Sequence, residues 1–339
     1  NFIKRLNMSN INLSESENDF KPRIDIDTLQ QKIENVRNEI SKIIVGQKQI
    51  IDLMLTAILS NGHILLEGVP GVAKTLTAKI VAKTLELQFS RIQFTPDLMP
   101  SDVTGTSVFN QKNSDFELHK GPIFSNIVLV DEINRSPAKT QSSLFEVMEE
   151  RQVSIDGVTY KMDEPFIVVA TQNPIEHEGT YRLPEAQIDR FLFKINIDYP
   201  TIEEDILILE NKNKDFKYLD LNRIIPVLTR KDIAYLQELV HSVIINSELI
   251  KYIVNIIHST RKNKNIFLGA SPRAASALMS AVKAYSAIEG RDFVTPEDVR
   301  FIAPNVLRHR LLLTPDAEMD GLTTDDVISQ ILKSVEVPR

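Results

Sequence analysis

Residues 68–75 form a short glycine-containing segment whose residue types could bind phosphate. The segment reads Gly68-Val69-Pro70-Gly71-Val72-Ala73-Lys74-Thr75. The first glycine, the lysine and the hydroxyl residue of the phosphate-loop pattern G-x-x-x-x-G-K-[ST] all stand at the required spacing. In such a loop, successive backbone N–H groups point at phosphate oxygens where a helix begins. We therefore expect Lys74 to contact the terminal phosphates of ATP, Thr75 to hold Mg²⁺, and Leu76 to continue the cradle.

Ala73 stands where the phosphate-loop pattern has its second glycine. Alanine costs little at this position if its backbone φ is negative, since Gly71 can supply the tight bend. The alternative interpretation is an ordinary glycine turn before a helix. The apolar segment before the loop and the helical pattern after it favour phosphate binding.

Two carboxylates at the end of an apolar run carry the second chemical signal. The run Ile127-Val128-Leu129-Val130 is followed directly by Asp131 and Glu132. Carboxylates at the end of a buried strand are costly unless a cation faces them. The pattern matches a Walker B strand, in which Asp131 would hold Mg²⁺ and Glu132 would polarise the water that attacks the γ-phosphate. Surface carboxylates at a strand end are the alternative, and the phosphate loop upstream argues against it.

A polar amide follows a third apolar run. Asn173 comes just after the run 166–170 and precedes a proline. Ligands of open α/β sheets bind beyond the carboxyl ends of the strands, so Asn173 could order the attacking water or contact the γ-phosphate. Taken alone, an Asn-Pro pair is more often a turn; beside the other two segments it favours a nucleotide site.

The elements that must position these groups follow from the hydrophobic pattern. Apolar runs predict buried strands, and three- and four-residue periodicity predicts helices. The strands are expected at 64–66, 127–130, 166–170 and 193–197, and the helices at 24–40, 47–59, 72–86 and 137–150. Continuous apolar runs are typical of parallel strands covered on both faces. The alternation predicts an α/β fold, the doubly wound parallel sheet of a P-loop NTPase.

The chain divides by composition into three parts. Residues 1–22 are polar, with Met8 as the first methionine, and predict a solvated tail or a remnant of cloning. Residues 23–215 carry the alternating pattern of a nucleotide-binding α/β domain. Beyond a polar joint, residues 216–339 show helical periodicity without a convincing buried strand, which predicts a small all-α lid domain.

Two hairpins are expected to decorate the α/β part. The pair Asp156-Gly157 between alternating residues is a strong hairpin signal. A second hairpin is predicted between Val108 and Leu118. Each is either a contact surface or a plain surface ribbon.

Composition excludes several classes of protein. The sequence contains no cysteine, which excludes disulfides, cysteine zinc sites and thiol nucleophiles. The net charge of −7 argues against a protein that works by coating nucleic acid. The longest apolar stretch is far shorter than a bilayer span, and no secretory signal is visible. We expect a cytoplasmic protein without a membrane span.

Taken together, these motifs resemble those of AAA+ ATPases, and among them the MoxR family. The resemblance extends over roughly residues 25–335. It is carried by segments 45–47, 66–75, 91–102, 130–135, 170–174 and 183–191. An alanine before the loop lysine is usual in this family, which softens the departure at Ala73.

The resemblance implies roles that residue types alone could not show. Asn173 matches sensor 1, and Val45 with Gly46 would lie near the adenine. Arg190 resembles the arginine finger, which acts on the nucleotide of a neighbouring subunit, unless it only forms a salt bridge with Asp189 or Glu185. Three other arginines also lie in plausible interface segments: Arg135, Arg151 and Arg182. Arg273 resembles sensor 2, reaching from the lid to the γ-phosphate, unless it is a plain arginine at a helix start. A trans-acting arginine implies self-association into a ring, as in the hexamers of many AAA+ proteins.

The resemblance also implies a function. A MoxR-type ATPase would hydrolyse ATP to ADP and phosphate to remodel, assemble or activate a partner complex. The resemblance points to proteins with a von Willebrand factor A domain as such partners. Three alternatives stay open: a magnesium-chelatase-like motor subunit, a ring motor acting on DNA, and a slow nucleotide-dependent binding switch. Glu132 favours hydrolysis over the switch.

Overall fold

The computed structural model describes residues 26–69, 71–112, 114–173, 181, 183–215 and 218–338. The predicted tail 1–22 and the loop residue Pro70 lie outside the described residues. The helices are α1 (Ile26–Ser41), α2 (Lys48–Leu59), α3 (Lys74–Thr84), α4 (Pro100–Thr104), α5 (Ala138–Glu150), α6 (Glu185–Ile188), α7 (Ile202–Lys214), α8 (Arg230–His241), α9 (Ser247–Lys262), α10 (Pro272–Ile288), α11 (Pro296–Leu307), α12 (Pro315–Met319) and α13 (Thr324–Ser334).

The strands make one central sheet and three small ribbons. They are β1 (His63–Gly68), β2 (Phe89–Gln93), β3 (Gly105–Asn110), β4 (Asp115–Lys120), β5 (Ile127–Asp131), β6 (Gln152–Ile155), β7 (Val158–Lys161), β8 (Ile167–Gln172), β9 (Phe191–Ile197), β10 (Ile266–Leu268) and β11 (Leu312–Leu313). The central sheet has the order β2-β5-β8-β1-β9, and its neighbouring strands are parallel. The predicted doubly wound α/β fold is confirmed.

Strand β2 is the part of the sheet that the sequence pattern missed. Among the described strands it lies at the edge and pairs with β5 alone, and its exposed Arg91 and Gln93 flank the buried Ile92. An edge strand needs no continuous apolar run, so the pattern that found the central strands could not find this one.

Both predicted hairpins are present. Strands β3 and β4 pair in antiparallel fashion, as do β6 and β7. The turn between β6 and β7 has Asp156 at φ 50° and Gly157 at φ 81°. Positive φ at both central residues is what a tight two-residue hairpin turn requires.

The C-terminal part is helical apart from the short ribbon β10–β11. Helices α8 and α11 begin with reciprocal caps: Thr229 with Asp232, and Thr295 with Asp298. Helix α2 is buried on every side and packs against both β9 and α10, so it joins the sheet to the C-terminal helices. One continuous apolar core therefore runs from the sheet into the helical part.

The basic triplet Arg308-His309-Arg310 fastens the helical part to the open edge of β9. Arg308 donates to the Lys194 carbonyl at 3.1 Å, and His309 Nε2 lies 3.0 Å from the Phe191 carbonyl. Arg310 is buried and donates to the carbonyls of Phe191 and Leu192 at 2.7 and 3.2 Å. The triplet thus supplies donors to β9, which is an edge strand of the sheet in the described part of the chain.

We expect Arg310→Met to lower the free energy of unfolding by about 3 kcal/mol, as when one partner of a buried ion pair is removed. Arg310 Nε also donates to the Asp189 carboxylate at 2.6 Å, so the variant removes a donor from that carboxylate and from the Leu192 carbonyl. Urea denaturation measures the change. The control is Arg223→Met, whose partner Asp215 is about half exposed and whose loss should cost under about 1 kcal/mol. Equal effects of the two substitutions would contradict the fastening role.

Candidate nucleotide-binding site

The phosphate loop connects β1 to α3, as predicted. The Lys74 ammonium lies 2.6 Å from the Gly68 carbonyl oxygen, so the side chain folds back over the loop. Gly71 has φ 89° and nothing within 4 Å of where a Cβ would be, consistent with a bend open to a ligand. The backbone N–H groups at the start of α3 have no earlier helical turn to bond, which is the arrangement that binds phosphate.

Ala73 does not have the negative backbone φ at which an alanine would fit the loop without strain. Ala73 has φ 59° and ψ 21°, in the left-handed region. A residue with a Cβ pays roughly 1–2 kcal/mol in that region, which glycine avoids. The negative φ considered for Ala73 is therefore wrong, and the loop holds its shape at the cost of local strain, as functional loops often do.

The two predicted metal ligands face each other. Thr75 Oγ1 lies 3.5 Å from Asp131 Oδ2, and the Thr171 hydroxyl donates to Asp131 Oδ1 at 3.1 Å. Asp131 is buried at the end of β5. A hydroxyl and a carboxylate are the hard oxygen ligands that Mg²⁺ prefers, so the residues present fit a magnesium ion beside a bound nucleotide.

Glu132 follows Asp131 with its backbone in the left-handed region, at φ 58°. Its N–H donates to Thr171 Oγ1 at 3.0 Å, and its carboxylate accepts from Gln93 Nε2 at 2.8 Å. Arg135 Nε lies 3.2 Å from the same carboxylate. These contacts hold the carboxylate at the mouth of the site, where a general base for water is needed.

A cavity of about 360 Å³ brings the predicted phosphate, metal and sensor residues together. Its walls include Gly71, Ala73, Lys74, Thr75, Leu76, Asp131, Glu132 and Asn173. Asn173 is buried and comes directly after β8, as the rule for strand ends predicts.

A second cavity of about 530 Å³ adjoins the loop on its other side. Val45 and Val72 line it together with Gly71 and Ala73. Gly46, at φ 67°, is not in its wall; Glu204 of α7 lies where a Gly46 side chain would be. Gly68 and Val69 line a smaller neighbouring cavity. The expected role of Val45 and Gly46 beside an adenine stays a prediction.

Gln47 ties the segment around Val45 to the phosphate loop. Its Nε2 donates to the Val72 carbonyl at 3.2 Å, and its Oε1 accepts from the Thr77 hydroxyl at 3.2 Å. The sequence indicated Gln47 only through the family resemblance. Its side chain bridges residues that lie 25 and 30 positions away.

Arg190 lies at the amino ends of the parallel strands, whereas the phosphate loop lies at their carboxyl ends. It precedes β9, whose Phe191 is in register with His63, whereas the loop follows Gly68 at the far end of β1. Five strand residues span about 16 Å at 3.3 Å per residue. The Arg190 guanidinium donates to the Phe145 carbonyl and lies 3.8 Å from Glu149, whereas the Asp189 carboxylate contacts Arg310 and Arg273. Arg190 is therefore far from the phosphates of its own chain.

Arg273 also lies at the amino ends of the strands. It is the second residue of α10, and its guanidinium lies 2.9 Å from Glu149 and 3.9 Å from Asp189. It is absent from the walls of the phosphate cavity among the described residues. The expected reach to a γ-phosphate is thus not made within this chain, because the lid carries Arg273 to the start of β9.

Two of the other arginines considered for the finger, Arg151 and Arg135, have partners within this chain. Arg151 donates to the carbonyls of Asn61 and Phe166, which come just before β1 and β8, and burial lowers the pKa of its guanidinium. Arg135 pairs with Glu132 in its own site. Arg182 lies outside the described residues.

Three residues of the site were missed by sequence reasoning: Arg91, Gln93 and Thr171. Arg91 and Gln93 point the same way from β2 and both line the phosphate cavity. Residues two apart on a strand point to the same side of the sheet, so recognising β2 would have placed Arg91 and Gln93 on one side together. Thr171 was readable as the first polar residue after the apolar run 166–170, two positions before Asn173.

Family models match both parts of the chain. Residues 63–193 match the model of the ATPase family associated with various cellular activities (AAA), and residues 258–331 match the AAA lid domain. The chain is 46% identical over 310 residues to the chaperone MoxR1 of Mycobacterium tuberculosis, covering 89% of this chain and 81% of that protein. The chain belongs to the MoxR family of AAA+ ATPases.

Further relatives agree with this assignment. The MoxR-family chain is 46% identical over 301 residues to the uncharacterized protein YeaC of Bacillus subtilis, covering 88% and 92% of the two chains. A crystal structure of a candidate ATPase from Cytophaga hutchinsonii superposes with a TM-score of 0.85 at 43% identity, covering 93% and 97%. Among the described residues no helix is both long and apolar enough to cross a bilayer.

Proposed function

We propose that this MoxR-family protein hydrolyses ATP to ADP and phosphate and uses the cycle to remodel, assemble or activate a partner protein. The observation that carries the proposal is one cavity lined by Lys74, Thr75, Asp131, Glu132 and Asn173. A loop without Glu132 and Asn173 could bind a nucleotide, but their presence beside it supplies the groups that water attack requires.

Each side chain has a separate part in the reaction. Lys74 exchanges the Gly68 carbonyl for the β- and γ-phosphate oxygens, and Thr75 with Asp131 holds Mg²⁺, which neutralises charge on those phosphates when it is bound. Glu132 accepts a proton from the attacking water, and Asn173 orients that water or the γ-phosphate.

We further propose that the active form is a ring, with six subunits as the expected number. Arg190 and Arg273 lie together at the start of β9, whereas the phosphate loop lies at the end of β1. The arginines on one side of a subunit and the nucleotide pocket on the other side make a head-to-tail interface between neighbouring subunits. Such an interface closes into a ring. Both arginines would then reach the γ-phosphate bound by the neighbouring subunit.

The decisive measurement is the Mg-ATPase rate per subunit across a wide range of protein concentration. We expect specific activity to rise with concentration and then level off as rings form, and Lys74→Ala to stay inactive throughout. Sedimentation at each concentration reports the ring. Full activity from sedimenting monomers would contradict the trans-acting arginines, and a ring that binds ATP without cleaving it would favour the binding switch.

The partner is proposed from kinship alone. MoxR1, the relative in Mycobacterium tuberculosis, is named a chaperone, which supports a client protein here, with von Willebrand factor A domain proteins as first candidates. The net charge of −7 argues against a DNA-acting motor. Adding duplex DNA should leave the ATPase rate unchanged, whereas a strong rise would favour the DNA motor.

A further inference from the structure

We propose that Arg91 is a tethered cation that neutralises Asp131 until Mg²⁺ binds, and then transfers to the phosphates of the nucleotide. Arg91 lies on the edge strand β2, and its Nε donates to Asp131 Oδ2 at 2.6 Å. The proposal rests on the proposed function, because it takes Asp131 to be the metal-holding carboxylate.

The two partners differ in their freedom to move. The Asp131 side chain is 10% exposed and is held by Thr171, whereas the Arg91 side chain is 53% exposed. Arg91 is therefore the partner that can leave. Its guanidinium reaches the carboxylate from an edge strand that has no strand beyond it in the described sheet.

Arg91 and Mg²⁺ compete for the same oxygen. Asp131 Oδ1 accepts from Thr171, so Oδ2, the oxygen that also faces Thr75, is left for the metal. Mg²⁺ binds carboxylate oxygens at about 2.1 Å. A guanidinium in contact with that same oxygen would stand within a few ångströms of the ion, and the two positive charges repel. Mg²⁺ binding therefore displaces Arg91.

The displaced guanidinium has an acceptor close by. Arg91 lines the phosphate cavity together with Lys74, and a planar guanidinium pairs well with phosphate oxygens. Arg91 Nη2 also donates to Gln93 Oε1 at 3.1 Å, while Gln93 donates to Glu132 at 2.8 Å. When Arg91 moves, Gln93 loses its contact with Arg91 while it still donates to Glu132. Metal binding at Asp131 is thereby linked to the position of the Glu132 carboxylate.

The test is the Mg²⁺ dependence of nucleotide binding in Arg91→Gln, measured with a fluorescent ADP. Mg²⁺ is expected to tighten ADP binding, and the Mg²⁺ midpoint is the free Mg²⁺ concentration at which half of this tightening is reached. Without the competing guanidinium, the midpoint of Arg91→Gln should be about tenfold lower than that of the wild type. In excess EDTA, the Kd for the same probe should rise about tenfold, because Asp131 then faces the phosphates without a counter-ion. Arg91→Lys keeps the charge and should lie between the variant and the wild type.

Arg223→Gln is the matched control, since it removes an exposed arginine paired with Asp215 outside the site. It should leave both quantities at wild-type values. A merely structural role for Arg91 would weaken binding by the same factor with and without Mg²⁺, and that result would overturn the proposal. An unchanged or higher Mg²⁺ midpoint in Arg91→Gln would overturn it too. If Mg²⁺ does not tighten binding even in the wild type, the assignment of Asp131 as metal ligand fails instead.

Discussion

Replacing Arg190 by alanine is expected to lower the steady-state ATPase rate about 10³-fold, the loss typical of an arginine finger. Nucleotide affinity should change little, because Arg190 lies at the amino ends of the strands and the phosphate loop of its own chain lies at their carboxyl ends. The guanidinium would stabilise charge that develops on the γ-phosphate held by the neighbouring subunit. Steady-state rates and equilibrium binding of a fluorescent nucleotide measure the two quantities separately.

Mixing variants distinguishes a trans role from a cis role. Arg190→Ala has an intact pocket without a finger, and Lys74→Ala has an intact finger without a working pocket. If the finger acts in trans, mixed rings contain some complete sites, so the mixture should be more active than either variant alone. The double variant mixed with Arg190→Ala is the control and should show no such gain. A finger that acted within its own chain would give no rescue in either mixture.

Arg190 also has local contacts that a large truncation removes. It donates to the Phe145 carbonyl and lies near Glu149. The thermal midpoint of Arg190→Ala should therefore be measured alongside its rate, and Arg190→Lys keeps the charge while losing the planar fork. A folded Arg190→Ala protein that retains more than about one tenth of the wild-type rate, against the 10³-fold loss of a true finger, would shift the assignment to Arg273.

The second large effect is expected from Glu132→Gln. The rate of ATP hydrolysis should fall by about 10²–10⁴-fold, the usual contribution of a positioned general base, while ATP still binds. Glutamine has nearly the same shape, so the backbone at φ 58° and the neighbouring Gln93 need not move far. Single-turnover hydrolysis and nucleotide binding provide the two readouts.

Glu117→Gln is the control for Glu132→Gln. Glu117 is an exposed carboxylate on β4 that accepts from Asn110 at 2.8 Å, outside the nucleotide site. Its substitution should leave hydrolysis and binding unchanged. If Glu132→Gln hydrolyses ATP at the wild-type rate, another group activates the water and the assignment of Glu132 is wrong.

Features written in consecutive residues were predictable. The phosphate loop, the Walker B carboxylates and the four apolar strands each lie within one short segment, where hydrophobic period and residue type act locally. Asn173 followed from one added rule, that the carboxyl ends of parallel strands share an edge. Val45 and Gly46 rested on kinship, and their role at the adenine stays a prediction.

Features that join distant segments were not predictable. Strand β2 gave no apolar run, so Arg91 and Gln93 were invisible as neighbours of the site. The backbone angle at Ala73 depends on how the whole loop closes between β1 and α3. Arg273 was expected to reach a phosphate, but the docking of the C-terminal helices carries it to Glu149, 124 positions away in the chain.

The sequence by itself therefore determined the family, the order of the elements and the chemical groups that meet at the end of β1. The tertiary structure alone decided which guanidinium faces which carboxylate. Arg91 contacts Asp131 across 40 positions, and Arg310 contacts the Leu192 carbonyl across 118. Local periodicity is fixed by a few neighbouring residues, whereas these contacts depend on strand order and on how the helical part packs against β9, which no short segment encodes.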